Sequence, residues 1–69
     1  MKAFWQGEKL MARRKELGLS MQELSEKVGC DRPLISMWER NRVSPSGHFL
    51  VLLCKAVNRT PEEFYRLEE

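Results

Sequence analysis

Two short stretches of this 69-residue chain carry the residue pattern that begins a helix. Ser20-Met-Gln-Glu23 and Thr60-Pro-Glu-Glu63 each place a hydroxyl residue three positions before a glutamate. In such a capping box the hydroxyl accepts a hydrogen bond from the backbone N–H three residues on, and the carboxylate accepts one from the backbone N–H of the cap. The second box also has proline at the first helical position, where a missing N–H is harmless.

Further residues that begin and end helices are spaced along the rest of the chain. Asp31 is a candidate cap for a third helix, and Ser44 or Ser46, beside Pro45, for a fourth. The residues that tolerate the left-handed conformation at a helix end are Gly18, Gly29, Asn41 and Asn58. These boundaries predict five helices with short connections, at about 4–17, 21–28, 32–40, 46–57 and 61–67. No alternating strand pattern appears, so we predict one all-α domain over residues 1–69.

Apolar residues recur at helical spacing in each predicted helix, and two charged residues share their stripes. The predicted core residues are Leu10, Leu17, Leu24, Val28, Ile35, Trp38, Leu50, Leu53, Val57, Phe64 and Leu67. Arg14 lies on the stripe of Leu10, and Glu39 on that of Ile35. A lone inward charge is costly, whereas arginine and carboxylate on facing helices can pair bidentately. We therefore predict an Arg14–Glu39 salt bridge; the alternative is that both charged groups extend separately into water.

The composition excludes several classes of protein. The longest apolar stretch, FLVLLC, is far shorter than the ~18 residues of a membrane-spanning helix, and no secretory signal precedes it, so we expect a cytoplasmic protein. Cys30, Cys54 and His48 match no common zinc spacing, which predicts no metal or cofactor and two cysteines that act as small hydrophobic residues. No catalytic arrangement falls on one predicted face, so we do not expect an enzyme.

The net charge of +2 is unevenly distributed. Residues 1–55 carry ten Lys and Arg against six Asp and Glu, whereas residues 56–69 carry two against four. A basic body with an acidic tail fits a nucleic-acid partner without requiring one.

The second and third predicted helices are joined only by Gly29-Cys30-Asp31, which predicts a helix-turn-helix at about residues 20–40. The stretch LSMQELSEKVGCDRPLISMWERN resembles the helix-turn-helix of the Cro/CI (XRE-type) family of phage repressors and bacterial regulators. The matching positions are Leu19-Ser20, Leu24-Ser25, Gly29, Ile35-Ser36 and Trp38-Glu39, with Arg14 and Gly18 upstream and Pro45-Ser46-Gly47, Leu50, Leu53, Lys55-Ala56 and Pro61 downstream. The resemblance covers about residues 9–66. It implies the five-helix fold of lambda-repressor-like DNA-binding domains, with the arginine–glutamate bridge of the family at Arg14 and Glu39.

The resemblance also implies a function, that of a sequence-specific double-stranded DNA-binding transcriptional regulator, specifically a repressor. Such proteins bind a pseudo-palindromic operator as a homodimer. The implied base contacts are Arg32, Pro33, Ser36 and Met37, and the implied phosphate contacts are Arg14, Ser20, Met21, Arg40 and Arg42. Arginine can donate to both O6 and N7 of guanine, whereas proline and methionine can only contact the methyl group of thymine.

The sequence departs from the family pattern at Met21, Cys30, Asp31 and Asn41, where the family has glutamine, valine, serine or threonine, and glycine. The apolar set Met21, Pro33, Leu34 and Met37 keeps an alternative open, in which the helix-turn-helix is a scaffold for a protein partner, as in an antitoxin or co-regulator. Arg40 and Arg42 are alternatively only solvated, and Arg32 only offsets Asp31. Phe49 and Leu52 either form a dimer patch or pack against Phe4 and Trp5.

Overall fold

The computed structural model describes residues 1–69 and contains four α-helices, one 3-10 turn and two short strands. The strands are β1 (Lys2–Trp5) and β2 (Tyr65–Glu68), and the 3-10 turn Pro61–Phe64 directly precedes β2. The helices are α1 (Gly7–Glu16), α2 (Met21–Val28), α3 (Arg32–Glu39) and α4 (Gly47–Val57). None of these helices combines the length and the apolar character needed to cross a bilayer.

The central helices begin and end where the capping residues predict. Ser20 Oγ accepts a hydrogen bond from the backbone N of Glu23 at 3.0 Å, and Glu23 Oε1 accepts one from the backbone N of Ser20 at 2.9 Å. Asp31 Oδ1 accepts from the backbone N of Leu34 at 3.2 Å. All four predicted helix-ending residues have positive φ angles, at 70° for Gly18, 84° for Gly29, 59° for Asn41 and 55° for Asn58.

The prediction of five helices and no strand is wrong, and the differences lie at the two ends of the chain. The first helix begins at Gly7, and residues 65–68 form β2, which pairs antiparallel with β1 from Lys2↔Glu68 to Trp5↔Tyr65. The ring of Trp5 lies 5.5 Å from that of Tyr65 and 5.8 Å from that of Phe64, measured between centroids. Strand pairing therefore lets the N-terminal aromatic residue cover the end of the core, and this tertiary contact outweighs the local helical pattern.

Nine apolar side chains form one buried core between the four helices and the 3-10 turn, namely Leu10, Leu24, Val28, Ile35, Trp38, Leu53, Cys54, Val57 and Phe64. Leu17 and Leu67, predicted as core residues, are 40% and 60% exposed, because Leu17 ends α1 and Leu67 lies in β2. Burial raises the pKa of the Cys30 and Cys54 thiols, so both stay neutral at physiological pH.

The junction between β1 and α1 is fixed against the C-terminal end of α3. Trp5 Nε1 donates to the backbone O of Trp38 at 2.8 Å, and Gly7 N donates to Asn41 Oδ1 at 2.8 Å. A Cβ atom on Gly7 would clash with the Trp38 carbonyl oxygen and lie 2.7 Å from that of Glu39. Glycine is required here because two backbones approach closely, and this approach holds the end of α3 in place.

Candidate nucleic-acid interface

The corner between α2 and α3 is built by a left-handed glycine and a shared backbone acceptor. Gly29 N and Cys30 N both donate to the backbone O of Ser25, at 2.8 and 3.0 Å. Asp31 then caps α3, whose inward side carries the buried residues Ile35, Trp38 and Glu39. Because those three residues fix the rotation of the short helix about its axis, the opposite side of α3 faces outward.

A buried ion pair joins α3 to α1. Arg14 Nε and Nη2 donate to Glu39 Oε2 and Oε1 at 2.6 and 3.1 Å, the bidentate geometry that the helical spacing predicts. The side chains of Arg14 and Glu39 are only 9% and 0% exposed. The hydrogen bond with Glu39 raises the pKa of Arg14, which outweighs the lowering effect of burial. The pair therefore holds both charges in the interior of the domain.

Arg14 is held within the domain, where its side chain is only 9% exposed and offers little to a DNA phosphate. Its third nitrogen, Nη1, donates to the backbone O of Leu19 at 2.9 Å, so all three guanidinium nitrogens are engaged within the chain. The geometry assigns Arg14 a structural role, and we do not retain it among the proposed phosphate contacts.

The four residues that the resemblance implies as base contacts lie together on α3. Arg32, Pro33 and Met37 are exposed, and Ser36 is half-buried. Leu34, by contrast, packs against the core. The sulfur of Met21 lies 4.0 Å from Arg32 Nη1, so the start of α2 adjoins the start of α3. The arrangement presents one guanidinium beside two apolar side chains.

The start of α2 carries groups that suit an anion. The Met21 backbone N–H lies in the first turn of α2, where N–H groups have no intrahelical acceptor and the helix dipole is positive. Ser20 Oγ accepts from Glu23 N, which leaves its O–H free to donate. Arg40 and Arg42, directly after α3, are both exposed. A phosphate contacting the start of α2 would meet amide and hydroxyl donors, and one contacting the end of α3 would meet guanidinium donors.

The seven arginines of the chain divide into two groups by their ion pairing. Arg13, Arg14, Arg59 and Arg66 each form a salt bridge with a carboxylate of the chain. The other three, Arg32, Arg40 and Arg42, form none, and they lie in α3 or directly after it. The arginines that no carboxylate of the chain neutralises are therefore concentrated at α3 and the turn after it. The sequence alone does not show this, because which arginines are paired depends on the tertiary structure.

Phe49 and Leu52 are half-buried and packed against the core. The aromatic neighbours of Phe49 are Trp38 and His48, at centroid distances of 5.7 and 5.1 Å, and not Phe4 or Trp5. Phe49 therefore packs against Trp38 of α3, and not against the N-terminal aromatic residues that the alternative interpretation named. Elsewhere, no group of three or more His, Cys, Asp or Glu side chains is placed to hold a metal ion.

The helix-turn-helix corner, the buried arginine–glutamate pair and the unpaired arginines in and after α3 define a helix-turn-helix domain of the phage-repressor type. The helix-turn-helix family model matches residues 10–64, so the chain belongs to this family, and the resemblance to XRE-type regulators is confirmed.

Two curated relatives and one solved structure show how far the similarity extends. Repressor protein C2 of Salmonella phage P22 is 39% identical over 56 residues, which are 81% of this chain and 26% of that protein. The chain thus spans about a quarter of the length of that repressor. An uncharacterized HTH-type transcriptional regulator of Methanothermobacter thermautotrophicus is 40% identical over 57 residues, covering 81% of this chain and 83% of the relative. The crystal structure of the P22 c2 repressor with synthetic operator 9T matches with a TM-score of 0.82 and 38% identity, over 84% of this chain and 88% of that chain.

Proposed function

We propose that this chain is a repressor-type transcriptional regulator that binds double-stranded DNA by placing α3 in the major groove. The observation that carries the proposal is the concentration of unpaired arginines at α3, while the other four arginines are neutralised within the chain. Unpaired guanidinium groups are suited to the phosphate contacts that dominate the affinity of proteins for DNA. The P22 relative, solved in complex with a synthetic operator, supports duplex DNA as the partner.

The proposed roles follow from position along α3. Arg32 lies at the first position of α3 and donates to guanine, and the exposed Pro33 and Met37 contact thymine methyl groups. Ser36, half-buried between them, is the remaining base contact. Phosphate contacts come from the first turn of α2, through Ser20 and Met21, and from Arg40 and Arg42.

We further propose that the domain binds as a homodimer on a pseudo-palindromic operator, with half-sites about one helical turn apart. The patch of Phe49 and Leu52 contributes little to that dimer in this proposal, because both side chains are engaged with the core. Packing against the core also weakens the alternative in which the helix-turn-helix is a scaffold for a protein partner. Met21 and Leu34 bury part of their apolar surface in the core, which leaves mainly Pro33 and Met37 for such a partner.

The salt dependence of duplex binding tests the proposed function. The affinity of the chain for a labelled duplex is measured by fluorescence anisotropy across a salt series. We expect a steep fall, because each neutralised phosphate contributes about −0.9 to the slope of log K against log salt. Arg42→Ala should weaken binding to all duplexes about equally and reduce the slope by about one per copy.

Arg59→Ala is the matched control, because Arg59 is paired with Glu16 and Glu63. For Arg59→Ala, the slope of log K against log salt should equal that of the unmodified chain. Duplex affinity that is absent at low salt, or independent of salt, contradicts the proposal and favours the protein scaffold.

A further inference from the structure

The outer edge of β2 is an unpaired sheet edge. The sheet contains only β1 and β2, and Gln6 N donates to the backbone O of Phe64 at 2.8 Å, in the same register as the strand pairs. Hydrogen-bonded pairs alternate with non-bonded pairs along an antiparallel ladder. The bonds of Arg66 and Glu68 therefore point to β1, and the backbone N–H and C=O groups of Tyr65 and Leu67 point to the free edge.

The side chains near this edge are exposed and alternate along β2. Arg66 and Glu68 share one face of the sheet and form a salt bridge of 3.2 Å, with 57% and 51% of their side chains exposed. Leu67, between them, projects to the other face and is 60% exposed. A long apolar side chain is thus left open beside unsatisfied backbone groups, a combination that favours pairing with another strand.

The β2 sequence is complementary to itself in one antiparallel register. In a symmetric antiparallel pair, one residue faces its own copy on the two-fold axis. An axis at Arg66 or Glu68 would place like charges opposite each other, which is destabilising. With the axis at Leu67, the Leu67 residues of the two copies lie opposite each other and can hydrogen-bond through the backbone groups that point to the free edge. The same register places Arg66 of each copy opposite Glu68 of the other. β1 has no acidic residue to match Lys2, so its own edge offers no such pairing.

We propose that two copies of this chain dimerise by antiparallel pairing of their β2 edges around Leu67, to form a four-stranded sheet in the order β1-β2-β2-β1. The charge pattern favours a second copy of this chain as the binding partner, because Arg66 and Glu68 supply both halves of each ion pair across the two strands. The proposal deepens the proposed function, since it names the surface of the homodimer on which that function relies.

A charge exchange between two variants tests the interface. In Glu68→Arg, arginines face arginines across the dimer, and in Arg66→Glu, glutamates face glutamates. Each variant alone should dimerise about tenfold more weakly than the unmodified chain in sedimentation equilibrium. An equimolar mixture should recover association as a heterodimer, because the arginines of one variant then face the glutamates of the other. Restoration by mixing cannot come from the salt bridge within one chain, which both variants lack.

A mixture of Glu26→Arg and Lys15→Glu is the matched control, since it makes the same net-charge changes at exposed helical positions. Its association should equal that of the unmodified chain, and melting curves should show all four variants folded. The proposal is overturned if the unmodified chain stays monomeric at millimolar concentration, if the single variants dimerise normally, or if mixing restores nothing.

Duplex titrations of the same samples separate this proposal from the proposed function. If mixing restores nothing while the unmodified chain still binds duplex with a steep salt dependence, the β2 interface is wrong and DNA binding stands. If the heterodimer forms while no duplex is bound at low salt, the interface stands and the proposed function fails.

Discussion

Removal of the Glu39 carboxylate should strongly destabilise the fold. In the structure, Glu39 accepts two of the three hydrogen bonds made by the Arg14 guanidinium, and its side chain is fully buried. In Glu39→Ala, Arg14 keeps a single acceptor, the backbone O of Leu19, and remains a nearly buried, uncompensated charge. We expect a loss of about 3–5 kcal/mol in the free energy of unfolding.

That loss is large for a chain of 69 residues, whose total free energy of unfolding should be on the order of 3–10 kcal/mol. Urea unfolding followed by circular dichroism measures it, because the midpoint reports stability for a two-state domain. Glu26→Ala is the matched control. Glu26 is an exposed glutamate on α2, and its removal should change stability by less than about 0.5 kcal/mol.

A double variant separates the loss of the ion pair from the loss of one partner. Arg14→Met with Glu39→Leu removes both charges and fills the space with apolar groups, so its stability should exceed that of Glu39→Ala by several kcal/mol. A loss below about 1 kcal/mol in Glu39→Ala, or a double variant as unstable as the single one, would refute the explanation by a stranded charge.

Two further predictions test other parts of the structure. Gly7→Ala should destabilise the domain by about 1–3 kcal/mol in urea unfolding, because the new Cβ clashes with the backbone of Trp38, whereas Gly47→Ala meets no atom within 4 Å and should be neutral or slightly stabilising. Equal effects of the two substitutions would argue against the close approach. Hydrogen bonding by the Ser20 backbone lowers the pKa of Glu23 below its ordinary 4.5. Its stabilising contribution is therefore present above that pH and lost as the pH falls through the folded-state pKa. The stability difference between the unmodified chain and Glu23→Gln should close in acid, and a difference independent of pH would contradict this.

The parts of the fold that the sequence predicts are those that depend on local chemistry. Ser20 and Asp31 form the side-chain caps expected of them, because a capping oxygen and the backbone N–H that donates to it lie within three residues. The helix-ending residues Gly29, Asn41 and Asn58 likewise adopt positive φ angles, since glycine lacks a Cβ atom and asparagine tolerates the left-handed conformation.

The parts that the sequence does not predict depend on contacts between distant residues. β1 and β2 are four residues each and lie at opposite ends of the chain, so neither is long enough to show an alternating pattern. The segment from Pro61 to Glu68 has a helical cap and helical spacing, yet it continues as a strand because Trp5 offers an aromatic surface for Tyr65. Leu67 is exposed for the same reason.

The candidate site shows the same division. Helical spacing alone is sufficient to assign Arg32 and Met37 to the outer side of α3, because Ile35 and Trp38 occupy the inner side. Spacing also pairs Arg14 with Glu39, but it gives no indication that the backbone O of Leu19 takes the remaining guanidinium nitrogen. That contact depends on how the chain turns after α1, and it helps to hold the Arg14 guanidinium inside the domain, away from the proposed DNA-binding surface.

The central claim, that α3 binds duplex DNA in a sequence-dependent way, is tested most directly by selecting bound duplexes from a random pool. The unmodified chain should enrich a pseudo-palindrome with two half-sites about one helical turn apart. Arg32→Ala should lose base preference at one symmetric position per half-site, by about 1–3 kcal/mol, and keep the preferences at the other positions. No enriched sequence for the unmodified chain, or identical preferences for Arg32→Ala, would contradict the claim.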